Sequence, residues 1–298
     1  MKCSKWFRQI APMISLVGSL LAVSCSEEPT PGPMSPVNSN KSLVAEQSPN
    51  STGEVRPLNR QTAVQSLAKT TTYDVKAVLH MQDLIDELQY IVTNKPGSAV
   101  ADKIEDAVAK VVSAQSELKK SPPDNSAALG NLSGAMNELQ AAMKDNLLNS
   151  TTGNQFINEV KAIKAILNTG GTIDHDCRGT TKYLWMKKSE GGLIALCGHQ
   201  IVVPKSALKS DANMYIKIDN TSFITVDCGP DGTFNSPVSV NISYRDADMT
   251  GVNVNNLTTA WYDTATNKWT NLGGTVNLIA KIVQVLTNHF TQYTISTK

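Results

Sequence analysis

An excess of charge of either sign is missing from this sequence, which has 27 Lys and Arg against 26 Asp and Glu in 298 residues. Runs of about five like charges, which form acidic or basic interaction arms, are also absent. A nucleic-acid-binding protein needs a basic stripe that displaces counterions from phosphates. Because no such stripe is present, we do not expect nucleic acid as a partner.

The sequence also lacks the short motifs that identify common enzyme classes. It contains no G-x-S-x-G, no H-E-x-x-H and no phosphate-cradling glycine loop. Such motifs place a nucleophile, a pair of zinc ligands or backbone amides around a substrate. We therefore predict that the protein is not an enzyme, and we expect no cofactor and no metal.

The N-terminal apolar stretch is too short for a membrane-spanning helix. Residues 10–23 form the apolar run, and Lys2, Lys5 and Arg8 precede it. A spanning helix needs about 18 or more apolar residues, whereas a shorter run after a positive region is typical of an export signal. Residues 1–24 are therefore predicted to be a signal peptide.

The segment L-A-V-S-C at residues 21–25 resembles the lipobox of bacterial lipoproteins. Ala22 and Ser24 are small enough for a signal peptidase, and the Cys25 thiol would take the lipid. The resemblance implies acyl chains, palmitate among them, that hold the protein in a membrane of the cell envelope. Ser26 replaces the Asp of inner-membrane lipoproteins, which implies the outer membrane in a host that has one. The alternative is ordinary cleavage after Ser24, which leaves Cys25 unlipidated.

Residues 25–60 have the composition of a tether. Six prolines lie among many Ser, Asn and Thr between residues 26 and 60. Such a segment buries too little apolar area to offset the entropy lost on ordering. We predict a disordered tether that holds the folded part away from the membrane.

Residues 61–170 show a helical pattern, in which apolar residues recur at spacings of three and four. The four apolar faces comprise Val75, Leu79, Leu84, Leu88 and Ile91; Val100, Ile104, Val108, Val111 and Leu118; Leu129, Leu132, Met136, Leu139, Met143 and Leu147; and Phe156, Val160, Ile163 and Leu167. Short turn sequences separate them, which favours antiparallel neighbours and predicts a helical bundle. The Met and Leu residues of the third helix are interpreted as core, with a partner-binding groove as the alternative.

Residues 171–298 change to short runs of β-branched and aromatic residues with turn signals between them. The predicted strands are 182–186, 193–197, 214–218, 223–226, 238–244, 257–262, 282–286 and 290–295. Many closely spaced strands without intervening helices are typical of an antiparallel β-sandwich. The sequence thus predicts an α+β chain of two domains, a helical bundle followed by a β-sandwich.

Six pieces of this region occur in the order found in the ZU-five domain, a β-sandwich interaction module of zonula occludens proteins, netrin receptors, ankyrins and bacterial surface proteins. They are Gly191-Gly192, V-V-P-K-S-A-L at 202–208, S-P-V-S-V-N-I-S-Y at 236–244, L-T-T-A-W-Y-D at 257–263, Trp269 and H-F-T-Q-Y at 289–293. Residues 190–296 therefore resemble this family. Ser206 is a departure, since the family has Gly at that position. The resemblance implies a non-catalytic protein-binding or scaffold module with an unidentified protein partner.

The last of these pieces, H-F-T-Q-Y, suggests an alternative function in which the chain cleaves itself. Some relatives in the family cleave their own chain between the Phe and Ser of an H-F-S motif. The corresponding residues here are His289, Phe290 and Thr291. The Thr291 hydroxyl would attack the preceding carbonyl in an N-to-O acyl shift, assisted by His289, and water would release the ester. A further alternative, carbohydrate binding or hydrolysis, depends on whether Trp261 or Trp269 forms an exposed platform.

Three cysteines remain in the predicted mature fold, namely Cys177, Cys197 and Cys228. In an oxidising compartment we expect one disulfide, and the sequence leaves all three pairings open. The alternative is a metal bound by His175, Cys177, Cys197 and His199, although the spacing is not that of a zinc finger or ribbon.

His80 has no second histidine or carboxylate at ligand spacing in the sequence. We therefore predict that His80 is structural or exposed.

Overall fold

The computed structural model of the protein describes residues 55–61, 75–169 and 177–297. In this part of the chain, four α-helices precede two antiparallel sheets of six and five strands. The α+β class predicted from the sequence is therefore confirmed. The predicted signal peptide, Cys25 and the tether as far as residue 54 lie outside the described residues. The helices and the sheets belong to one compact unit, Ser51–Lys298.

The helices of the described residues begin close to polar capping residues. They are α1 (Val75–Asn94), α2 (Ala99–Leu118), α3 (Asn125–Lys144) and α4 (Ser150–Asn168). Ser98, Asp124 and Asn149 precede the last three helices, and each side chain accepts a hydrogen bond from an amide of the next turn. Such caps satisfy amides that a helix leaves unpaired. The last three helices therefore each begin directly after a polar cap.

Apolar side chains fill the space where α1 packs on α2, α2 on α3, α3 on α4 and α4 on α1. The Met and Leu residues of α3 belong to this core: Leu132 and Leu139 are buried, and Met136 and Met143 are partly buried and pack against the buried cluster. None of the described helices is long and apolar enough to cross a membrane. Burial of their apolar faces between neighbouring elements accounts for the helical pattern.

The strands form two sheets in which every pairing is antiparallel. They are β1 (Thr181–Met186), β2 (Gly192–Leu196), β3 (His199–Val203), β4 (Ala212–Ile218), β5 (Thr225–Gly229), β6 (Thr233–Ser243), β7 (Leu257–Asp263), β8 (Lys268–Gly273), β9 (Thr275–Asn277), β10 (Ile282–His289) and β11 (Gln292–Thr297). One sheet has the order β1-β4-β5-β11-β7-β8, and the other has the order β2-β3-β6-β10-β9. β1 and β2 are thus outer strands.

The alternation of buried and exposed side chains is clearest in β10. Val283, Val285 and Thr287 are buried, and the intervening Gln284 and Leu286 are exposed. Successive side chains of a strand point to opposite faces, so one face of β10 meets the core and the other meets solvent. This period of two is the signal that predicted the strand from the sequence.

Three strands were not predicted, namely β3, β8 and β9. The predicted strand at 193–197 ends in a hairpin, because the chain turns at Cys197 and Gly198 with φ values of 52° and 82°. Two successive positive φ angles are those of a type I′ turn, which joins β2 directly to β3. β8 and β9 are mostly exposed outer strands, so their residues lack the apolar alternation that marks a strand.

The tether is shorter than predicted at its C-terminal end. Residues 58–61 are hydrogen-bonded to the β-rich region: Leu58 N donates to Ile295 O at 2.8 Å, and Arg60 N donates to Ser222 O at 2.6 Å. Backbone hydrogen bonding of this kind needs no apolar side chains, so composition did not reveal it. The ordered chain therefore includes residues that the sequence assigned to the tether.

Candidate binding cleft between the helices and the sheet edges

The outer strands β1 and β2 are covered by helices. An outer strand has one side on which no other strand accepts or donates its backbone hydrogen bonds. Helix α1 contacts β2, and helix α4 contacts β1. The side chains that these two helices direct at the strands determine how the helical segment and the sheets are joined.

Two carboxylates of α1 accept the outward amides of β2 and of the turn after it. Ala195 N donates to Glu87 Oε1 at 2.6 Å, and Cys197 N donates to Asp83 Oδ2 at 2.5 Å. Asp83 Oδ1 also accepts from Gly198 N at 3.0 Å. Four residues of a helix rise about 6 Å, and two residues of a strand span about 6.8 Å. The spacing of the acids on α1 therefore matches the spacing of the amides on β2.

Helix α4 makes the corresponding bonds to β1. Trp185 N donates to Gln155 Oε1 at 2.7 Å, and Thr152 Oγ1 donates to Trp185 O at 3.2 Å. Gln155 Nε2 also donates to Asn213 Oδ1 at 3.3 Å. Both backbone groups of Trp185 are thus satisfied by side chains, so the edge of β1 is closed in the same manner as that of β2.

A buried cluster of charges connects the two junctions. Lys182 Nζ of β1 lies 2.8 Å from Glu87 Oε1 of α1 and 2.6 Å from Glu159 Oε1 of α4. The Glu87 side chain has no exposed area. A buried charge pair is tolerated only where good geometry offsets the loss of hydration. Here one ammonium group lies between the carboxylates of two helices.

Burial shifts the protonation of this cluster. It raises the pKa of Asp83 to about 7, although Lys182 and the amides of Gly198 and Cys197 act to lower it. Burial also raises the pKa of Glu87 well above its ordinary value, against the effect of Lys182. Burial alone would lower the pKa of Lys182, but Glu159, Glu87 and Asp83 raise it above its ordinary value. The lysine therefore keeps its positive charge within the cluster.

A cleft of about 350 Å³ lies beside this cluster, between α1, the α3–α4 connection, α4, β1 and β2. Ligand sites have volumes of roughly 300 to 1,000 Å³ and mostly apolar walls with a few polar groups. The apolar side chains of the wall are Ile91, Val100, Met143, Leu147, Leu148, Phe156, Leu184, Trp185, Met186 and Leu193. Glu87 also lines the cleft, and its Oε2 accepts no hydrogen bond from the described residues.

Charged side chains on one part of the wall form ion pairs with one another. Lys95 Nζ lies 3.0 Å from Glu190 Oε2, and Lys187 Nζ lies 3.7 Å from Glu190 Oε1. The three side chains are between 35% and 41% exposed. The cleft thus combines apolar side chains with polar groups and partly hydrated charges, an arrangement that suits a ligand with both an apolar and a polar part.

Two of the three cysteines that were candidates for a disulfide are paired, and the third is a free thiol. Cys177 and Cys197 form a disulfide with a Cα–Cα distance of 6.5 Å. The Cys228 thiol is buried and outside any disulfide, and burial raises its pKa. Of the histidines in the alternative metal set, His175 lies outside the described residues. His199 Nδ1 accepts a hydrogen bond from Ser243 N at 3.2 Å.

The predicted self-cleavage residues lie at the end of β10. Phe290 is buried, and the Thr291 hydroxyl donates to Tyr262 O at 3.0 Å. His289 packs edge-to-face against Trp261, with ring centroids 4.7 Å apart, and its Nε2 has no hydrogen-bond partner among the described residues. The nucleophile of the predicted reaction is therefore hydrogen-bonded to a neighbouring carbonyl.

The two tryptophans of the carbohydrate-binding alternative both have aromatic neighbours. Trp261 packs against His289, and Trp269 packs against Tyr262 with centroids 5.3 Å apart and an interplanar angle of 64°. Both tryptophans are half-buried. Edge-to-face packing of this kind stabilises a fold and leaves less of each ring face for a ligand.

The residues that build the junctions and the cleft were not identified from the sequence. Asp83 and Glu87 are four residues apart and lie among Met81, Leu84 and Leu88 on the buried side of α1. Acidic residues inside an apolar helical stripe are the one local signal that could have marked them, since buried acids are rare unless they are paired. Their partner amides follow more than 100 residues later, so the pairing itself left no local pattern.

No family model matches this chain, and no curated protein matches it either.

Proposed function

We propose that the protein is a lipid-anchored, non-catalytic binding protein of the bacterial cell envelope, and that the cleft takes an apolar side chain of a protein partner. The observation that carries the proposal is the cleft itself, with its volume of about 350 Å³ and a wall on which apolar side chains lie beside polar and charged groups. A buried apolar anchor is the feature that supplies most of the affinity in protein interfaces. The charges of Lys95, Lys187 and Glu190 would contact polar groups around that anchor.

The walls of the cleft are held in place, which supports a binding role. α1 and α4 are each fixed to an outer strand by side-chain hydrogen bonds to the backbone. Lys182 joins both helices to β1 through Glu87 and Glu159. A site whose walls are ordered before binding loses less entropy when the partner docks.

The proposal includes the predicted architecture, a helical bundle over 61–170 followed by a ZU-five-like β-sandwich over 171–298. One backbone angle supports the resemblance. Ser206 has a φ of 66°, a left-handed conformation that glycine adopts at little cost. The family has Gly at this position, so the backbone conformation agrees with the resemblance even though the residue differs.

The binding role is tested by photo-crosslinking in cells. A photoreactive amino acid placed at Asn146, which lies on the cleft wall and is exposed, should form adducts with a partner protein. The substitution Leu147→Trp fills the cleft from the same connection, and it should abolish these adducts because the anchor loses its place.

The matched control is Leu286→Trp. Leu286 is 65% exposed on β10 and does not line the cleft, so this substitution should leave the adducts unchanged. Adducts that persist in the Leu147→Trp variant, or that disappear equally in both variants, would contradict binding in the cleft.

The anchor is tested by the intact mass of protein extracted from membranes. We expect the chain to begin at Cys25 and to exceed the polypeptide mass by two or three acyl groups, and the Cys25→Ser variant should lose both the added mass and the membrane association. A chain that starts at Cys25 without added mass would show ordinary cleavage. The same spectrum tests self-cleavage, since hydrolysis before Thr291 would release a fragment of residues 291–298.

A further inference from the structure

A histidine of α1 and two cysteines of the β-rich region lie close together, and none of the three lines the cleft. One ring nitrogen of His80 and the Sγ atoms of Cys177 and Cys197 all lie within 4.8 Å of one another. The two cysteines are buried and joined as a disulfide, and His80 is half-buried. Cys177 and Cys197 were candidate partners from the sequence, but no local pattern marked His80, which precedes them by almost 100 residues or more.

We propose that His80, Cys177 and Cys197 bind one zinc ion when the disulfide is reduced. Thiolate sulfur and imidazole nitrogen are the preferred ligands of Zn²⁺, and three protein ligands leave a fourth tetrahedral position for water. Zn–S and Zn–N bonds of about 2.3 and 2.0–2.1 Å place the ligand atoms about 3.6–3.8 Å apart. The present separations require side-chain movements on the order of 1–2 Å to reach that geometry.

The chemistry is a thiol–disulfide exchange followed by metal binding. A dithiol reductant attacks the Cys177–Cys197 bond, is itself oxidised to a disulfide, and leaves two protein thiols. Zn²⁺ then binds both sulfurs as thiolates and releases two protons to solvent. Oxidation and metal binding therefore compete for the same two sulfur atoms.

Both cysteines are held by hydrogen bonds that do not depend on the disulfide. Cys197 N donates to Asp83 Oδ2 at 2.5 Å. Cys177 O accepts from Thr180 N at 3.2 Å and from Thr180 Oγ1 at 2.5 Å. These hydrogen bonds do not involve the sulfur atoms, so they can restrain both backbone positions after the S–S bond is cleaved.

Helix α1 supplies the third ligand from a fixed position. His80 and Asp83 are three residues apart and so lie on the same face of the helix. Asp83 binds the backbone of Cys197, and this bond brings the His80 ring to the sulfur atoms. An imidazole nitrogen held at this position is a ligand type that Zn²⁺ prefers.

The test uses the full chain with Cys3→Ser and Cys25→Ser, in which only the three cysteines of the β-rich region remain. The chain is reduced with a phosphine without oxygen and titrated with Co²⁺, which reports tetrahedral thiolate ligation by its absorption. We expect one Co²⁺ per chain, displaced by one Zn²⁺, and no such binding by the oxidised chain. Circular dichroism is recorded in parallel.

Two substitutions identify the ligands. His80→Gln should weaken Co²⁺ binding by at least about 100-fold, with the circular dichroism unchanged. Cys228→Ser should leave the affinity unchanged, because that buried thiol is not part of the cluster. The proposal is overturned if the reduced chain binds no Co²⁺, if it unfolds on reduction, or if His80→Gln binds as tightly as the parent chain.

Discussion

Helices α1 and α2 have the same length of 20 residues, yet they bury different side chains. α1 buries Asp83 and Glu87 among its apolar residues, whereas Gln115 is the only polar residue in the buried set of α2. α1 contacts β2 as well as neighbouring helices, and α2 packs mainly on α1 and α3. This fold therefore buries carboxylates where the backbone of an outer strand needs acceptors.

The arrangement has a cost that the geometry must offset. Moving a carboxylate out of water costs several kcal/mol even after the protein relaxes. For Glu87, the hydrogen bond from Ala195 N and the charge of Lys182 offset part of this desolvation cost. For Asp83, hydrogen bonds from two successive amides offset part of it. Substitutions in the charge cluster or the strand contacts should therefore destabilise the fold more than substitutions at sites that lack them.

The largest effect should follow from the removal of the ammonium group. Lys182→Met leaves Glu87 and Glu159 without their shared cation, and it should lower the free energy of unfolding by about 3–5 kcal/mol. Urea unfolding followed by circular dichroism measures the change. The matched control is Lys161→Met, since Lys161 is exposed on α4, and it should change the stability by less than about 0.5 kcal/mol. Equal effects of the two substitutions would show that the cluster contributes no more than a surface charge.

The pH dependence of Asp83→Asn should be the next largest effect. The pKa of Asp83 is raised in the folded state to about 7 from 3.8. Its stabilising contribution is therefore complete below pH 3.8 and is lost as the pH rises to 7, by about 1.4 kcal/mol per pKa unit. The substitution should cost more stability near pH 4 than near pH 7.5. His80 and His199 titrate in both chains, so their effects cancel in the difference between the two unfolding curves.

A cost of Asp83→Asn that grows with pH would contradict the raised pKa. It would mean that the two amides stabilise the ionised carboxylate more than burial opposes it.

A smaller effect should follow from the loss of one acceptor at β1. Gln155→Ala leaves Trp185 N without its partner at 2.7 Å, which should cost about 1–2 kcal/mol. Ser113→Ala on α2 removes a hydroxyl that donates to Ala109 O on an exposed helix face, and it should cost less than about 0.5 kcal/mol. Thermal unfolding of both variants measures the difference in stability. A larger loss of stability in Ser113→Ala than in Gln155→Ala would contradict the importance of the contact at β1.

The smallest effect is expected at a turn of the β-rich region. Ser206→Gly should stabilise the protein by about 0.5–1 kcal/mol, because Ser206 has a φ of 66° that costs a residue with a Cβ atom more than glycine. Urea unfolding detects this gain. A loss of stability would show that the greater entropy of glycine in the unfolded chain outweighs the relief of strain.

The helices and strands that could be predicted from the sequence are those that a local spacing of apolar residues determines. The four helices begin within a few residues of the predicted apolar faces, because the spacing of Leu, Val and Ile is set by the helical turn. Most strands were predicted by the same reasoning with a period of two. β8 and β9 were missed because exposed outer strands carry no such period.

The candidate site could not be predicted, because its contacts join distant parts of the chain. Glu87 meets Ala195, 108 positions away, and His80 meets Cys177 and Cys197 only once α1 lies on β2. The spacing of Asp83 and Glu87 has meaning only beside the spacing of the amides of a strand. A single sequence contains both spacings and does not show that they are matched.

Carboxylates of α1 close the edge of β2 and so fix the wall of the cleft. Amide hydrogen exchange at Ala195 and Cys197, measured residue by residue by NMR, tests this closure. We expect both amides to exchange as slowly as those of the central strand β6, and Glu87→Gln to speed exchange at Ala195 more than at Cys197. Exchange of both amides at the rate of an unprotected strand edge would show that the carboxylates do not close this edge.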